Sequence, residues 1–152
     1  MADLQGSLAS HGLHSNVQID LDQLSHTLAP LIAQPLPQTK GNIDMRTRIR
    51  TSALDLQDIQ GNINIRTKDL SFSSLAGLKA QSRDLSLALD FKAQIPEKVS
   101  YQADFSLPEL YISGPGLKDK VAGPLALNFS QKGSLDLHRQ RLDITRGKLE
   151  LQ

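Results

Sequence analysis

The 152-residue chain has no cysteine and no tryptophan, and aromatic residues make up only 4% of it. Without cysteine there is no disulfide framework, no zinc knuckle and no thiol nucleophile. An oxidising compartment stays open, because disulfides are common there without being obligatory. An excess of one charge is missing too: 17 Lys and Arg stand against 16 Asp and Glu. That balance argues against a strongly basic nucleic-acid binder and favours no particular partner. No stretch approaches the roughly 20 apolar residues that span a bilayer. The opening residues Met1-Ala2-Asp3-Leu4-Gln5-Gly6 show neither the charged flank nor the apolar run of a secretory signal. With 39% hydrophobic and 22% charged residues, the chain has the composition of a folded protein of about one domain.

The dominant pattern is a period of two, which puts alternate side chains on opposite faces of a strand. The clearest runs are Ile43-Met45-Thr47-Ile49, Ile59-Gly61-Ile63-Ile65-Thr67, Leu85-Leu87-Leu89-Phe91, Val99-Tyr101-Ala103-Phe105-Leu107 and Val121-Gly123-Leu125-Leu127-Phe129. Shorter ones are Leu135-Leu137, Leu142-Ile144 and Leu149-Leu151, with weaker candidates at Leu4 to Ala9, Ser15 to Leu21, Leu70 to Phe72 and Leu78 to Ser82. The pattern predicts an all-β fold of about ten to twelve strands in a mainly antiparallel meander. Because alternation runs to both ends, it also predicts a single β-rich segment, 1–152, excised from a longer protein, with any signal or anchor outside it.

One segment departs from the rule. Leu21, Leu24, Leu28, Leu31 and Ile32 recur at three and four residues, which predicts a short helix near 21–33, with Asp20 or Asp22 as its cap. Pro30 interrupts it, and Pro35-Leu36-Pro37 forces an extended exit. Gly41-Asn42-Ile43-Asp44-Met45-Arg46-Thr47-Arg48 recurs loosely as Gly61-Asn62-Ile63-Asn64-Ile65-Arg66-Thr67-Lys68, 20 residues on. That interval fits two strands and two turns, as in hairpins stacked along one sheet.

Each clear strand has one apolar and one polar face, so something must cover a long apolar side. A helix of about ten residues spans only about 15 Å, whereas ten strands make a sheet of nearly ~50 Å. The apolar face must therefore close on itself, fold into a sandwich, curve into a trough, or meet something that is not protein. The candidate lining is aliphatic: Leu87, Leu89, Leu125, Leu127, Leu135, Leu137, Leu142, Ile144, Leu149 and Leu151, with Phe91, Tyr101, Phe105 and Phe129 as the only rings. Composition leaves two readings open, a self-filled β core and a groove for acyl chains, each buried methylene of which is worth about 0.8 kcal/mol.

The terse units Gly133-Ser134-Leu135-Asp136-Leu137 and Arg141-Leu142-Asp143-Ile144-Thr145-Arg146-Gly147-Lys148-Leu149-Glu150-Leu151 resemble the strands of the AsmA-like superfamily of bacterial envelope proteins. The segment Leu21 to Pro37 before Gly41-Asn42-Ile43 is similar to the short amphipathic insertions of that family. The likeness extends loosely over most of the chain and its motifs are degenerate. It implies an elongated, strongly curved sheet, a U-shaped, half-open groove with an apolar interior. The implied parent protein is anchored in the inner membrane and spans the periplasm, and it conducts phospholipid toward the outer membrane with possible envelope partner proteins. The chain lacks the family's N-terminal membrane helix and its full length, so transport is not expected of this segment alone. The lining residues implied for acyl chains are those above from Leu87 to Leu149. The alternative is a structural or adhesive β-sandwich or β-solenoid module with a self-packed core that mediates protein interaction.

Other chemistry has weaker support in the residues. His11 and His14, three apart, point to opposite faces of a strand and lack a third ligand, so no metal site is expected. His138 lies beside Asp136 and Asp143, yet no Gly-x-Ser-x-Gly elbow presents a nucleophile. Asp44, Asp90, Asp104, Asp136, Asp143 and Glu150 sit at outward strand positions, where water explains them. Gly114-Pro115-Gly116-Leu117-Lys118 lacks the spacing of a phosphate loop and reads as a turn. Arg46, Arg48 and Arg50 share a face that Arg66 and Lys68 repeat, which reads as a solvated outer face; nucleic-acid binding would want exposed rings among them. The expectation is a non-enzymatic protein with no catalytic residue, no cofactor and no nucleic-acid partner.

Overall fold

Among the described residues, alternation forms eight strands: β1 (Ala2–Ser7), β2 (Gly12–Asp20), β3 (Gln38–Thr51), β4 (Asp58–Ser73), β5 (Lys79–Gln94), β6 (Lys98–Ser113), β7 (Val121–Asp136) and β8 (Arg141–Leu151). One α-helix among the described residues, α1 (Leu21–Leu28), lies between β2 and β3. The structure, a computed structural model, describes residues 2–7, 12–31, 37–51, 58–74, 76–118 and 120–152. Every strand pairs antiparallel with its neighbours in chain order, from β1 to β8. The two outer strands do not pair with each other, so the sheet is open and curved, as expected for an all-β, mainly antiparallel fold with one short helix.

The strands are fewer and longer than the sequence suggests. Leu70–Phe72 is the far end of β4, Leu78–Ser82 runs into β5, and Leu142–Ile144 joins Leu149–Leu151 in β8. For β4 and β8 the reason is a β-bulge, which inserts a residue and shifts the alternation by one. Between β3 and β4 the register passes from Asn42↔Lys68 to Lys40↔Ser71, so β4 carries one extra residue there. Asp69 adopts φ 51° at this point, and Gly41 opposite adopts φ 122°. A Cβ on Gly41 would lie 2.8 Å from the Lys68 carbonyl, so this close approach requires glycine. The register of β6 against β7 shifts between Leu107 and Leu110 and shifts back between Leu110 and Ile112, and a further bulge places Thr145 as an extra residue in β8. Bulges bend the bulged strand and raise its twist, which curves a sheet whose 16-residue strands reach about 50 Å.

The 20-residue repeat is resolved differently from expectation. Its two copies lie on adjacent antiparallel strands, with Met45 opposite Ile65 and Thr47 opposite Ile63. They face one another across a single hairpin instead of stacking as successive hairpins.

Asp20 caps α1, its Oδ1 accepting from the backbone N–H groups of Asp22 (2.9 Å) and Gln23 (3.1 Å). The helix then tightens into a 3₁₀ turn over Ala29–Leu31, where Pro30 ends the α-helical pattern. Residues 32–36, including the rest of the expected helix and most of its exit, lie outside the described residues. Leu24 and Leu28 remain 42% and 36% exposed, so α1, which lies against β3, covers little of the sheet.

The described residues form one layer where domains ordinarily have two. Among the described residues only Ala93 and Leu107 are buried apolar side chains, at 6% and 8% exposure. The accessible surface is 11052 Å², against about 7,600 Å² for a compact monomer of this mass. That excess is what a sheet exposing both faces would show.

Candidate lipid-facing surface

Strand register gathers the apolar residues onto one face. Across the middle of the sheet, Met45, Ile65, Leu87, Phe105, Phe129 and Leu149 stand opposite one another in sequence from β3 to β8. A neighbouring row runs Thr47, Ile63, Leu89, Ala103, Gln131 and Gly147. Nearer the turns, Val99 faces Leu135, which faces Leu142; toward the other end Leu127 lies between Leu107 and Leu151. With strands about 4.8 Å apart, eight of them make a face about 34 Å wide.

The aromatic members are held by glycine. A Cβ on Gly61 would come 2.2 Å from Phe91 Cζ, and one on Gly133 would come 2.9 Å from Tyr101 Oη. Phe91 and Tyr101 are opposite each other on β5 and β6, so their rings lie in opposite directions over the glycines of β4 and β7. Each ring thereby covers backbone that a glycine leaves bare. The Tyr101 hydroxyl accepts a hydrogen bond from Gln131 Nε2 at 2.9 Å.

Most of the predicted lining lies on this face: Leu87, Leu89, Phe91, Tyr101, Phe105, Leu127, Phe129, Leu135, Leu142, Ile144 and Leu149. Leu125 reaches it through its partner Leu110 beyond the β6 bulge. Leu137 does not belong to a strand. It sits in the turn between β7 and β8, where its N–H donates to the Glu97 carbonyl at 3.0 Å. The sequence-derived lining stops at β5, yet the face continues through Ile63 and Ile65 to Met45, Ile49 and Val17. Those residues carry the same alternation, so the signal for them was present. Leu70 and Phe72 join past the bulge of β4, where only a slip of one residue in the pattern announces them. Thr67, 6% exposed between Ile43 and Leu85, has a hydroxyl with no hydrogen-bond partner.

The opposite face is polar and cross-linked. Asn62 Nδ2 donates to Asp90 Oδ1 (2.6 Å), Ser106 Oγ to Asn128 Oδ1 (2.7 Å), and Ser130 Oγ and Gln102 Nε2 to the two oxygens of Asp104 (2.6 and 3.0 Å). The bond from Ser130, then that from Gln102, holds the Asp104 carboxyl below the usual aspartate range against a smaller opposing effect of desolvation. Four hollows, of about 530, 490, 290 and 210 Å³, are bordered chiefly by residues of this polar side. Phe91, Tyr101, Phe105 and Phe129 border two of them, and the aliphatic members of the predicted lining border none of the four.

Arg46, Arg48 and Arg50 share the polar face with Arg66 and Lys68 of β4, in the arrangement read from the sequence. Arg46 pairs with Asp44 at 3.1 Å. His14 lies on this side, exposed, opposite Arg48; His11 lies outside the described residues. Gly114 to Lys118 form a turn around the 3₁₀ segment Pro115–Leu117. Among the described residues no group of His, Asp and Glu is arranged to hold a metal ion, and no helix is long and apolar enough to cross a membrane.

No protein-family model, curated protein or solved structure matches the chain.

Proposed function

We propose that the chain is a non-enzymatic segment of a periplasm-spanning, AsmA-like protein of the bacterial envelope, whose apolar sheet face shields phospholipid acyl chains on their way between the membranes. One observation carries the reading: a single-layered sheet presents an apolar face across its strands, and the described residues place no second layer over it. Water against such a face is costly at roughly 25 cal/mol per Å², and each acyl methylene laid on it recovers about 0.8 kcal/mol. Binding of this kind depends on width and aliphatic character and needs no polar recognition group. Head groups remain at the margin of the face, in water. A self-packed module would need a sealed interior, and Ala93 and Leu107 alone do not amount to one.

The test is lipid extraction and mass spectrometry of protein purified from a bacterial envelope, combined with photo-crosslinking from single sites. Phospholipid at about one or more per chain, crosslinking from Leu87 and Phe105 positions but not from Asp90 and Asp104 on the other face, is the expected result. Lipid-free protein, or equal crosslinking from both faces, overturns the reading.

A further inference from the structure

Two hollows of the polar face, of about 530 and 210 Å³, share Arg48 and Asn62 and so form one recess. Six cations border it: Arg46, Arg48 and Arg50 on β3, Arg66 on β4, Lys92 on β5 and Lys132 on β7. Two carboxylates border it with them, and both are already engaged. Asp44 pairs with Arg46 at 3.1 Å and accepts from Gln18 Nε2 at 3.4 Å, and Asp90 accepts from Asn62 Nδ2 at 2.6 Å. Of the six cations only Arg46 stands in an ion pair among the described residues, and all six are exposed. A chain whose net charge is only +1 thus concentrates positive charge in one place, which raises the local concentration of anions.

A face that needs only to stay in water gains by setting opposite charges across its strands. Here the cross-strand neighbours are largely neutral. Arg48 stands opposite Asn62, Arg50 and Lys92 stand on either side of Gln60, and Lys132 stands opposite Gln102. We propose that this recess binds a linear phosphodiester chain, a polyol phosphate without bases, laid along β3 and β4. Arg46, Arg48 and Arg50 recur at every second residue, about 6.8 Å apart, a spacing that successive phosphates of a glycerol-phosphate chain can match. Their guanidinium forks suit phosphate oxygens bidentately, and Lys92 and Lys132 add point charges from the far side of the recess.

Other anionic partners fit less well. Stacked bases would need rings among the cations, yet the rings of Phe91 and Tyr101 lie over Gly61 and Gly133 on the apolar face. An acidic peptide gains most from main-chain hydrogen bonds, and within the sheet those groups are already paired strand to strand. A phospholipid whose acyl chains lie on the apolar face has its head group on the wrong side of β3–β7 to reach the recess, so the inference does not rest on the lipid reading. The six cations belong to strands paired on both sides, and further strands beside β1 or β8 would leave the recess in place.

Fluorescence anisotropy of a labelled glycerol-phosphate oligomer of about eight units, longer than the recess, tests the proposal with the 152-residue chain at low salt. Saturable binding is expected, with log Kd rising linearly with the logarithm of salt concentration. Arg48→Gln with Arg50→Gln should weaken it about tenfold or more and lower the salt slope by about two. Arg83→Gln with Arg139→Gln removes the same charge outside the recess and should change the affinity less than about twofold. Circular dichroism verifies that both double variants keep their sheet. The proposal is overturned by absence of saturable binding or by equal losses in the two double variants. Tighter binding of a thymidylate oligomer with as many phosphates, of polyglutamate of equal charge, or of phosphatidylglycerol vesicles would overturn it as well.

Discussion

Leu127→Asp separates an open apolar face from an ordinary core. Leu127 lies on β7 between Leu107 and Leu151, half-buried, with Leu151 75% exposed beside it. On an open face the substitution forfeits about half of the 1.5–3 kcal/mol that full burial of a leucine is worth, about 1 kcal/mol. The poorer fit of aspartate to a strand adds up to about 1 kcal/mol. The introduced carboxylate keeps its water, so no large desolvation cost follows. The sum is about 2 kcal/mol, or about 4–8 °C in melting temperature for a chain of this size. In a sealed interior the same change would remove a packed leucine, at about 2–5 kcal/mol, and strand a charge at several more, which approaches the whole stability of a domain. Urea unfolding followed by circular dichroism measures the difference, with Leu107→Asp as the contrast because Leu107 is 8% exposed. Soluble, folded Leu127→Asp protein with a loss near 2 kcal/mol, smaller than that of Leu107→Asp, is the expected outcome. Aggregation, or equal losses at the two positions, would refute the argument for an open face.

Two further consequences concern the fold. Gly123 has φ 128°, and a Cβ there would lie 2.4 Å from the Leu110 carbonyl oxygen; Gly123→Ala should therefore cost about 1–3 kcal/mol in denaturant unfolding, and a neutral result would mean that the β6–β7 bulge is not held by this contact. Asp104 titrates below the usual range because Ser130 and Gln102 donate to it. Its contribution is present above the unfolded value of about 3.9 and is lost as pH falls through the lower folded value. Ser130→Ala should raise the Asp104 midpoint in carbon-detected NMR titration and narrow the stability difference from wild type as the solution is acidified; an unmoved midpoint would show that the Ser130 bond is not the cause.

Alternation along the chain was enough to determine the strand class, the antiparallel meander and the division into one apolar and one polar face. An aspartate cap at Asp20 or Asp22 and an interruption at Pro30 were legible because both act within a turn of helix; the structure chose Asp20. The strand count was not legible, because a bulge at Asp69 or Thr145 shifts the period by one residue and looks in sequence like the end of a strand. The rings of Phe91 and Tyr101 lying over Gly61 and Gly133 also required the structure, since glycine and ring belong to different strands. So did Leu137, which continues an alternating run but falls in a turn.

A sequence states which side chains avoid water; it does not state what will cover them. That depends on whether the sheet's edges meet or another layer packs on it, and both are long-range properties of register and curvature. Here tertiary structure decided that β1 and β8 stay apart and that the described apolar face carries no second layer. The physical reason is geometric: each strand pairs only with its neighbours in chain order, so no part of the described chain returns across the face that alternation created.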